Sequence, residues 1–212
     1  DKDLDNVGLS WSGYADYKDM WTVDVFDIFN DSYGVEKNNI SKEYIESSEK
    51  LNPSNRDNII GIQSQIWSET IRNEDILDYM FMPNIIVFSQ KAWSQDPEWM
   101  KISDKTKREF TLDYEWNKFT NTIGQRVLPI IDNIYGGLSY DLPKPGGIIK
   151  NDSLYANSVF PGLNIKYTLD GSLPDIESMN YNNPVKLNKD DVINLRLFDD
   201  KGRGGYPIQV DK

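Results

Sequence analysis

A chain of 212 residues with no histidine and no cysteine excludes Ser–His and Cys–His nucleophile systems and any zinc centre of imidazole or thiolate ligands. Chemistry must then rest on carboxylates, tyrosines, lysines, hydroxyls and backbone. The formal net charge of −11 at pH 7 argues against a nucleic-acid or anionic-membrane partner, and no stretch approaches the roughly 20 apolar residues that cross a bilayer.

The chain opens on Asp1-Lys2-Asp3, which has neither a basic nor an apolar leader, so no signal peptide is expected in these residues. Residues 4–9 read as a short strand, and residues 17–29 as an apolar-rich stretch whose type stays open. The pattern predicts a helix over residues 38–50, with Ser41 as its cap and Glu43 after it, then a polar loop carrying Pro53 and Asn55. Residues 59–67 are apolar and isoleucine-rich and predict a buried strand. Short apolar strands alternating with helices imply βα units and a parallel sheet.

That strand carries a specific pairing. Period-two geometry puts Trp67 and Glu69 on one face of an extended segment. An aromatic plane beside an anionic acceptor suits a sugar: the ring covers the C–H face and the carboxylate accepts hydroxyl protons. The same residues also fit a core or rim tryptophan followed by a solvated glutamate. Spacing alone leaves both readings open.

The next helix is predicted over residues 73–93, capped by Asn73, with Glu74 and Asp75 complementing its dipole. Pro83 should kink it. Its apolar residues (Ile76, Leu77, Met80, Ile85, Ile86, Phe88) cover more than one stripe and predict a largely buried helix. Another helix is predicted over residues 105–133, where Leu112, Trp116, Phe119, Ile123, Val127 and Ile130 form one core-facing stripe.

Gly136-Gly137 and then Leu142-Pro143-Lys144-Pro145-Gly146-Gly147 mark a break. Beyond it the period changes to two: Leu163, Ile165, Tyr167 and Leu169 alternate with polar residues, and Ile193, Leu195 and Leu197 alternate with Asn194, Arg196 and Phe198. Asp170-Gly171 is a turn signal. These residues predict a small antiparallel β domain. Tyr155, Tyr181 and Tyr206 are read as scattered surface tyrosines, with a glycan platform the less common alternative.

Gly61-Ile62-Gln63 with Ile66-Trp67-Ser68-Glu69-Thr70, then Tyr79-Met80 with Pro83, then Ala92-Trp93, resembles the last barrel strand and helix of glycoside hydrolase family 20, the β-N-acetylhexosaminidases and bacterial chitobiases. Downstream, Phe160-Pro161-Gly162-Leu163, Ile165, Tyr167-Thr168, Asp170-Gly171-Ser172 and Pro174 resemble the small immunoglobulin-like domain that closes bacterial chitobiases. The resemblance implies an α/β fold: the C-terminal part of a (β/α)8 TIM barrel over residues 1–137, then a small antiparallel β-sandwich over residues 138–212.

It also implies a function. The expected activity is release of terminal N-acetylhexosamine from chitooligosaccharides or related glycans by a substrate-assisted retaining mechanism, in which the 2-acetamido oxygen attacks the anomeric carbon. In the family a glutamate protonates the leaving group and the aspartate before it orients the acetamide. No Asp-Glu dipeptide occurs in this chain, so no catalytic residue is assigned here and that pair is expected upstream. By the same resemblance Trp67 forms the floor under the N-acetylglucosamine ring, and Glu69 accepts from its 4- and 6-hydroxyls. Asp5 matches an aspartate that helps bind those hydroxyls, and Trp11 lines the aglycone side or the core. The family tyrosine two residues before that aspartate is replaced by Asp3; Tyr14 is one alternative source of the hydroxyl.

The expected partners are an N-acetylglucosamine-containing oligosaccharide and the N-terminal remainder of the same enzyme. No metal or organic cofactor is implied. The expected location is secreted, periplasmic or on a bacterial cell surface, with any leader outside these residues. A non-catalytic glycan-binding protein and a purely structural C-terminal portion are the alternatives.

Overall fold

The computed structural model of the chain describes residues 16–27 and 40–211, which fall into two compact units, Asp1–Lys101 and Ile102–Lys212. In the first, α1 (Tyr17–Thr22) begins where the Asp16 carboxylate accepts from the backbone N–H of Lys18 at 2.7 Å. It resolves the type of the apolar 17–29 stretch as helix at its start. Trp21 on α1 is buried against Trp99, with ring centroids 6.1 Å apart.

The predicted 38–50 helix is the shorter α2 (Lys42–Ser47), capped as expected by Ser41, whose hydroxyl accepts from the Tyr44 N–H at 3.2 Å. It ends early because the hydroxyls of Ser47 and Ser48 both donate to the Tyr44 carbonyl. Side chains that compete for backbone acceptors favour helix ends over helix interiors. A 3₁₀ turn, Pro53–Asn58, follows in the polar loop.

Residues 59–68 depart from expectation. They form neither helix nor strand and are largely exposed, with Ile60 at 99%. A parallel strand is stabilised by ladders on its flanks and by cover on both faces. None of the described residues supplies either to this segment, so its strand-type composition stands without a strand. The described part of this unit is helical, and no parallel sheet or closed barrel forms among the described residues.

Asn73 caps α3 (Glu74–Phe81), accepting from the Ile76 N–H at 2.9 Å. Pro83 then ends the helix instead of kinking it, and α4 (Asn84–Trp93) starts anew. Proline pushes the preceding residue out of helical conformation, and Met82 is extended at φ −96°, ψ 140°. The expected burial is also corrected. Only Val87 on α4 is buried, α3 has no buried residue, and Trp93 is 90% exposed. Once the chain divides at Pro83, each short helix presents one flank to a neighbour; α4 packs on α1.

In the second unit, α5 (Lys105–Thr122) is capped by Asp104, which accepts from the Lys107 N–H at 2.8 Å. It runs on through a wider π turn, Ile123–Val127, into α6 (Leu128–Ile131). Leu112, Trp116 and Ile123 of the expected stripe are buried. Past the π turn the buried residues are Leu128 and Ile131, while Ile130 is 57% exposed. A π turn adds one residue to the helical period, so the inward face moves from 127 and 130 to 128 and 131.

The β region contains seven strands: β1 (Gly146–Lys150), β2 (Ser153–Asn157), β3 (Asn164–Thr168), β4 (Met179–Asn180), β5 (Val185–Lys186), β6 (Ile193–Phe198) and β7 (Ile208–Val210). They form two antiparallel sheets, ordered β1-β2-β5 and β4-β3-β6-β7. The expected alternation holds on the core side. Ile193 and Leu195 of β6 pack with Leu154, Leu187 and Val210, and Ile165 and Tyr167 of β3 lie against them. The sheets meet closely at Gly147, where a Cβ would stand 2.6 Å from Val210 and 2.8 Å from Leu195. The Asp170-Gly171 turn forms as read: Asp170 accepts from the Ser172 N–H and hydroxyl at 3.0 and 2.6 Å, and Gly171 has φ 81°.

The other face of β6 is covered as well: Asn194 and Phe198 are buried. Loops cover it. Asn194 donates to the carbonyls of Gly171 and Ser172 at 3.0 Å each, and Arg196 donates to those of Pro174, Gly204 and Gly205.

Candidate functional site

Trp67 and Glu69 lie at the end of the irregular 59–68 segment, where the Ile71 N–H donates to the Ser68 carbonyl at 3.1 Å and turns the chain toward α3. Thr70 anchors that turn through a 4.0 Å contact of its hydroxyl with the Met80 sulfur. Both candidate residues face solvent: Trp67 is 75% exposed and Glu69 is exposed. Neither side chain is consumed by packing. The Glu69 carboxylate has no hydrogen bond or ion pair to another described residue. Asp5 and Trp11 lie outside the described residues, as do Asp3 and Tyr14. Among the predicted site residues, therefore, only Trp67 and Glu69 are placed.

This placement permits recognition chemistry. An exposed indole presents a flat apolar face of the kind that stacks on a sugar ring, and an ionised carboxylate accepts hydroxyl protons with charge-assisted strength. Among the described residues no cluster of three or more acidic side chains is arranged to hold a metal ion. No helix there is long and apolar enough to cross a membrane.

A second polar cluster was not anticipated. Asp132, at the end of α6, and Asp199, after β6, are both buried. Arg203 bridges them, donating from Nη2 to Asp132 and from Nε to Asp199, and from Nη1 to the Leu138 carbonyl at 3.0 Å. Its guanidinium lies 4.6 Å from the Tyr140 ring centroid. The Tyr140 hydroxyl donates to Asp132 Oδ2 at 3.2 Å, and Lys201 Nζ donates to the Asp132 carbonyl. Two cations and two anions thus share one site. The only cue in the sequence is the charged, glycine-rich run Lys201-Gly202-Arg203-Gly204-Gly205, which reads as a loop and names no partner.

Burial raises the Tyr140 hydroxyl well above the usual tyrosine range, with the charges of Asp199 and Asp132 adding to the effect and Arg203 opposing it. For Arg203, burial favours the neutral form, but the hydrogen bond and charge of Asp199 outweigh it and raise its pKa. The Tyr140 shift has a definite sign for stability. Its folded value exceeds the unfolded value of about 10, so above that pH the unfolded chain releases a proton the folded chain retains. The stabilisation is complete below about pH 10 and is lost as pH rises toward the folded value. Melting temperatures measured from pH 8 to 11 should fall more steeply above about pH 10 in the natural chain than in Tyr140→Phe. Parallel profiles would remove Tyr140 as their cause.

Comparison with known proteins assigns these regions. The family described as Glycosyl hydrolase family 20, catalytic domain, matches residues 6–96, and the Chitobiase/beta-hexosaminidase C-terminal domain matches residues 128–205. The chain is 32% identical over 120 residues to the N,N'-diacetylchitobiase of Vibrio harveyi, covering 52% of this chain and 13% of that protein. It is 28% identical over 168 residues to the Beta-hexosaminidase of Vibrio vulnificus, covering 71% of this chain and 19% of that protein. The chain thus spans less than a fifth of the length of these curated relatives. Trp67 and Glu69 lie within the catalytic-domain match, and Asp132, Asp199 and Arg203 lie within the C-terminal-domain match. Residues 6–96 thus resemble a stretch of the glycoside hydrolase family 20 catalytic domain, and residues 128–205 resemble the chitobiase/β-hexosaminidase C-terminal domain that follows it.

Proposed function

We propose that this chain supplies the sugar-holding part of a β-N-acetylhexosaminidase site that removes terminal N-acetylglucosamine from chitooligosaccharides or related glycans. The observation that carries the reading is Trp67 and Glu69, two residues apart in the catalytic-domain stretch and both presented to solvent. The indole is the shelf under the pyranose ring, and the Glu69 carboxylate accepts hydroxyl protons at the ring's edge. Asp5 is a second hydroxyl acceptor, and Trp11 lines the leaving-group side.

The acid step belongs to groups outside this chain. An aspartate–glutamate pair on the N-terminal remainder of the enzyme orients the acetamide and protonates the leaving oxygen, and no such dipeptide lies in these 212 residues. The substrate's acetamide oxygen attacks the anomeric carbon as the glycosidic bond breaks; water then opens the oxazolinium ring, and configuration is retained. The catalytic-domain stretch, residues 6–96, completes a barrel begun by that remainder, and this segment alone is inactive.

The test is release of a chromophore from an aryl N-acetylglucosaminide by the polypeptide containing the whole catalytic domain, alongside the 212-residue chain. Turnover by the longer polypeptide, inhibited by an oxazoline-mimicking thiazoline, is the expected result. No turnover would overturn the enzymatic reading, and turnover insensitive to the thiazoline would overturn substrate assistance.

A further inference from the structure

Neither family match covers residues 97–127, which hold all of α5 and the π turn. The way this stretch joins the β-sandwich is therefore an independent question. Two features inside the second unit answer it.

The first is the charged cluster. Asp132 and the sandwich loop are 71 residues apart in sequence yet linked through Arg203 and Lys201, and both aspartates are more than nine-tenths buried. Two further details tighten the joint. The Leu138 N–H donates to the Ile131 carbonyl at 3.1 Å. At Gly137, which has φ 97°, a Cβ would stand 2.6 Å from Lys201 Nζ and 2.8 Å from the Asp132 carbonyl oxygen. The second feature lies one to two turns upstream. Gly124, in the π turn, approaches the loop between β2 and β3 so closely that a Cβ would stand 2.0 Å from the Pro161 carbonyl oxygen. The helical tail thus meets the sandwich at two places, one ionic and one steric.

We infer that α5, the π turn and α6 are part of the C-terminal domain's folding unit, held to the sandwich by a latch of Arg203 and Lys201 on Asp132, so that helix and sandwich open together. The chemistry of the latch supports an all-or-none joint. Buried charges are tolerated only when paired, and removing one partner leaves the others desolvated and uncompensated. A partly detached helix would carry Asp132 away from both cations while Asp199 stayed buried. Opening the helix alone is therefore costly, and opening both elements is the cheaper event. The unit consequently extends upstream of the family match at residue 128, to about residue 102.

The experiment is native-state amide hydrogen exchange on the full 212-residue chain, following Phe119 and Ile123 on the helix and Leu195 and Leu197 on β6. In the natural chain the two sets should share one opening free energy and one denaturant dependence. Arg203→Met should speed exchange of both sets by at least about 100-fold. Arg203→Lys keeps the charge and the fold but loses the fork geometry, and should speed both sets together by roughly 10-fold. Helix amides that open independently of β6 in the natural chain would overturn the inference. So would Arg203→Lys speeding the helix set while leaving the β6 set unchanged.

Discussion

Glu69→Gln, made in a polypeptide that contains the whole catalytic domain, should lower kcat/KM for an aryl N-acetylglucosaminide by about 10- to 100-fold. A hydrogen bond to a charged acceptor contributes roughly 1.5–3 kcal/mol, which corresponds to one to two decades. The substitution keeps size and shape and removes the charge, so the loss reports acceptor strength. Trp67→Ala should produce a loss of similar or larger size, because it deletes the ring face against which the sugar is positioned. Neither change should move the melting temperature appreciably: Trp67 is 75% exposed and Glu69 has no described partner, and such surface substitutions usually stay within about 0.5 kcal/mol. This separation is what makes the experiment decisive. Full activity in both variants would place the sugar site elsewhere, and a large loss of stability would reassign Trp67 to structure.

Gly124→Ala should destabilise the second unit by about 3 kcal/mol and lower its melting temperature by more than about 10 °C. The sign carries the information. In an ordinary helix interior, glycine to alanine stabilises by up to about 1 kcal/mol. Here the added methyl would lie 2.0 Å from the Pro161 carbonyl oxygen and 2.9 Å from its carbon. Backbone sits at both ends of that contact, so no side chain can rotate away. Either the helical tail or the β2–β3 loop must shift, and urea or thermal denaturation of the full chain reads the cost. A neutral or stabilising result would show that the tail and the loop do not approach as closely as the structure places them.

The C-terminal domain match begins at residue 128 and ends at residue 205, which includes Asp132, Tyr140, Asp199 and Arg203. Gly136-Gly137 and the proline-rich run after them predict a boundary at residue 137. Those residues do mark a change of backbone: Gly136 and Gly137 have φ 88° and 97°. They mark where helix gives way to extended chain, and the ionic joint spans that point. A turn signal reports local conformation, whereas a folding unit is defined by contacts that cross it.

What residues and their near neighbours establish was legible in the sequence. Ser41 and Asn73 cap their helices as expected because a cap is a bond to an N–H three residues on. Period-two alternation identified the core faces of β3 and β6 because a pleated strand repeats every two residues. The family motifs were legible for the same reason, being compact runs such as the one from Gly61 to Thr70. Other features required the tertiary structure. The π turn shifted the buried stripe from Ile130 to Ile131, because a one-residue change of helical phase leaves no compositional mark. The second buried face of β6 depends on loops that return over it. Arg203 and Asp132 are joined across 71 residues by closure of the fold, which no local pattern encodes. The same physics accounts for residues 59–68: their isoleucines specify a strand's preferences, but a strand exists only where neighbouring chain completes its hydrogen bonds and covers its faces.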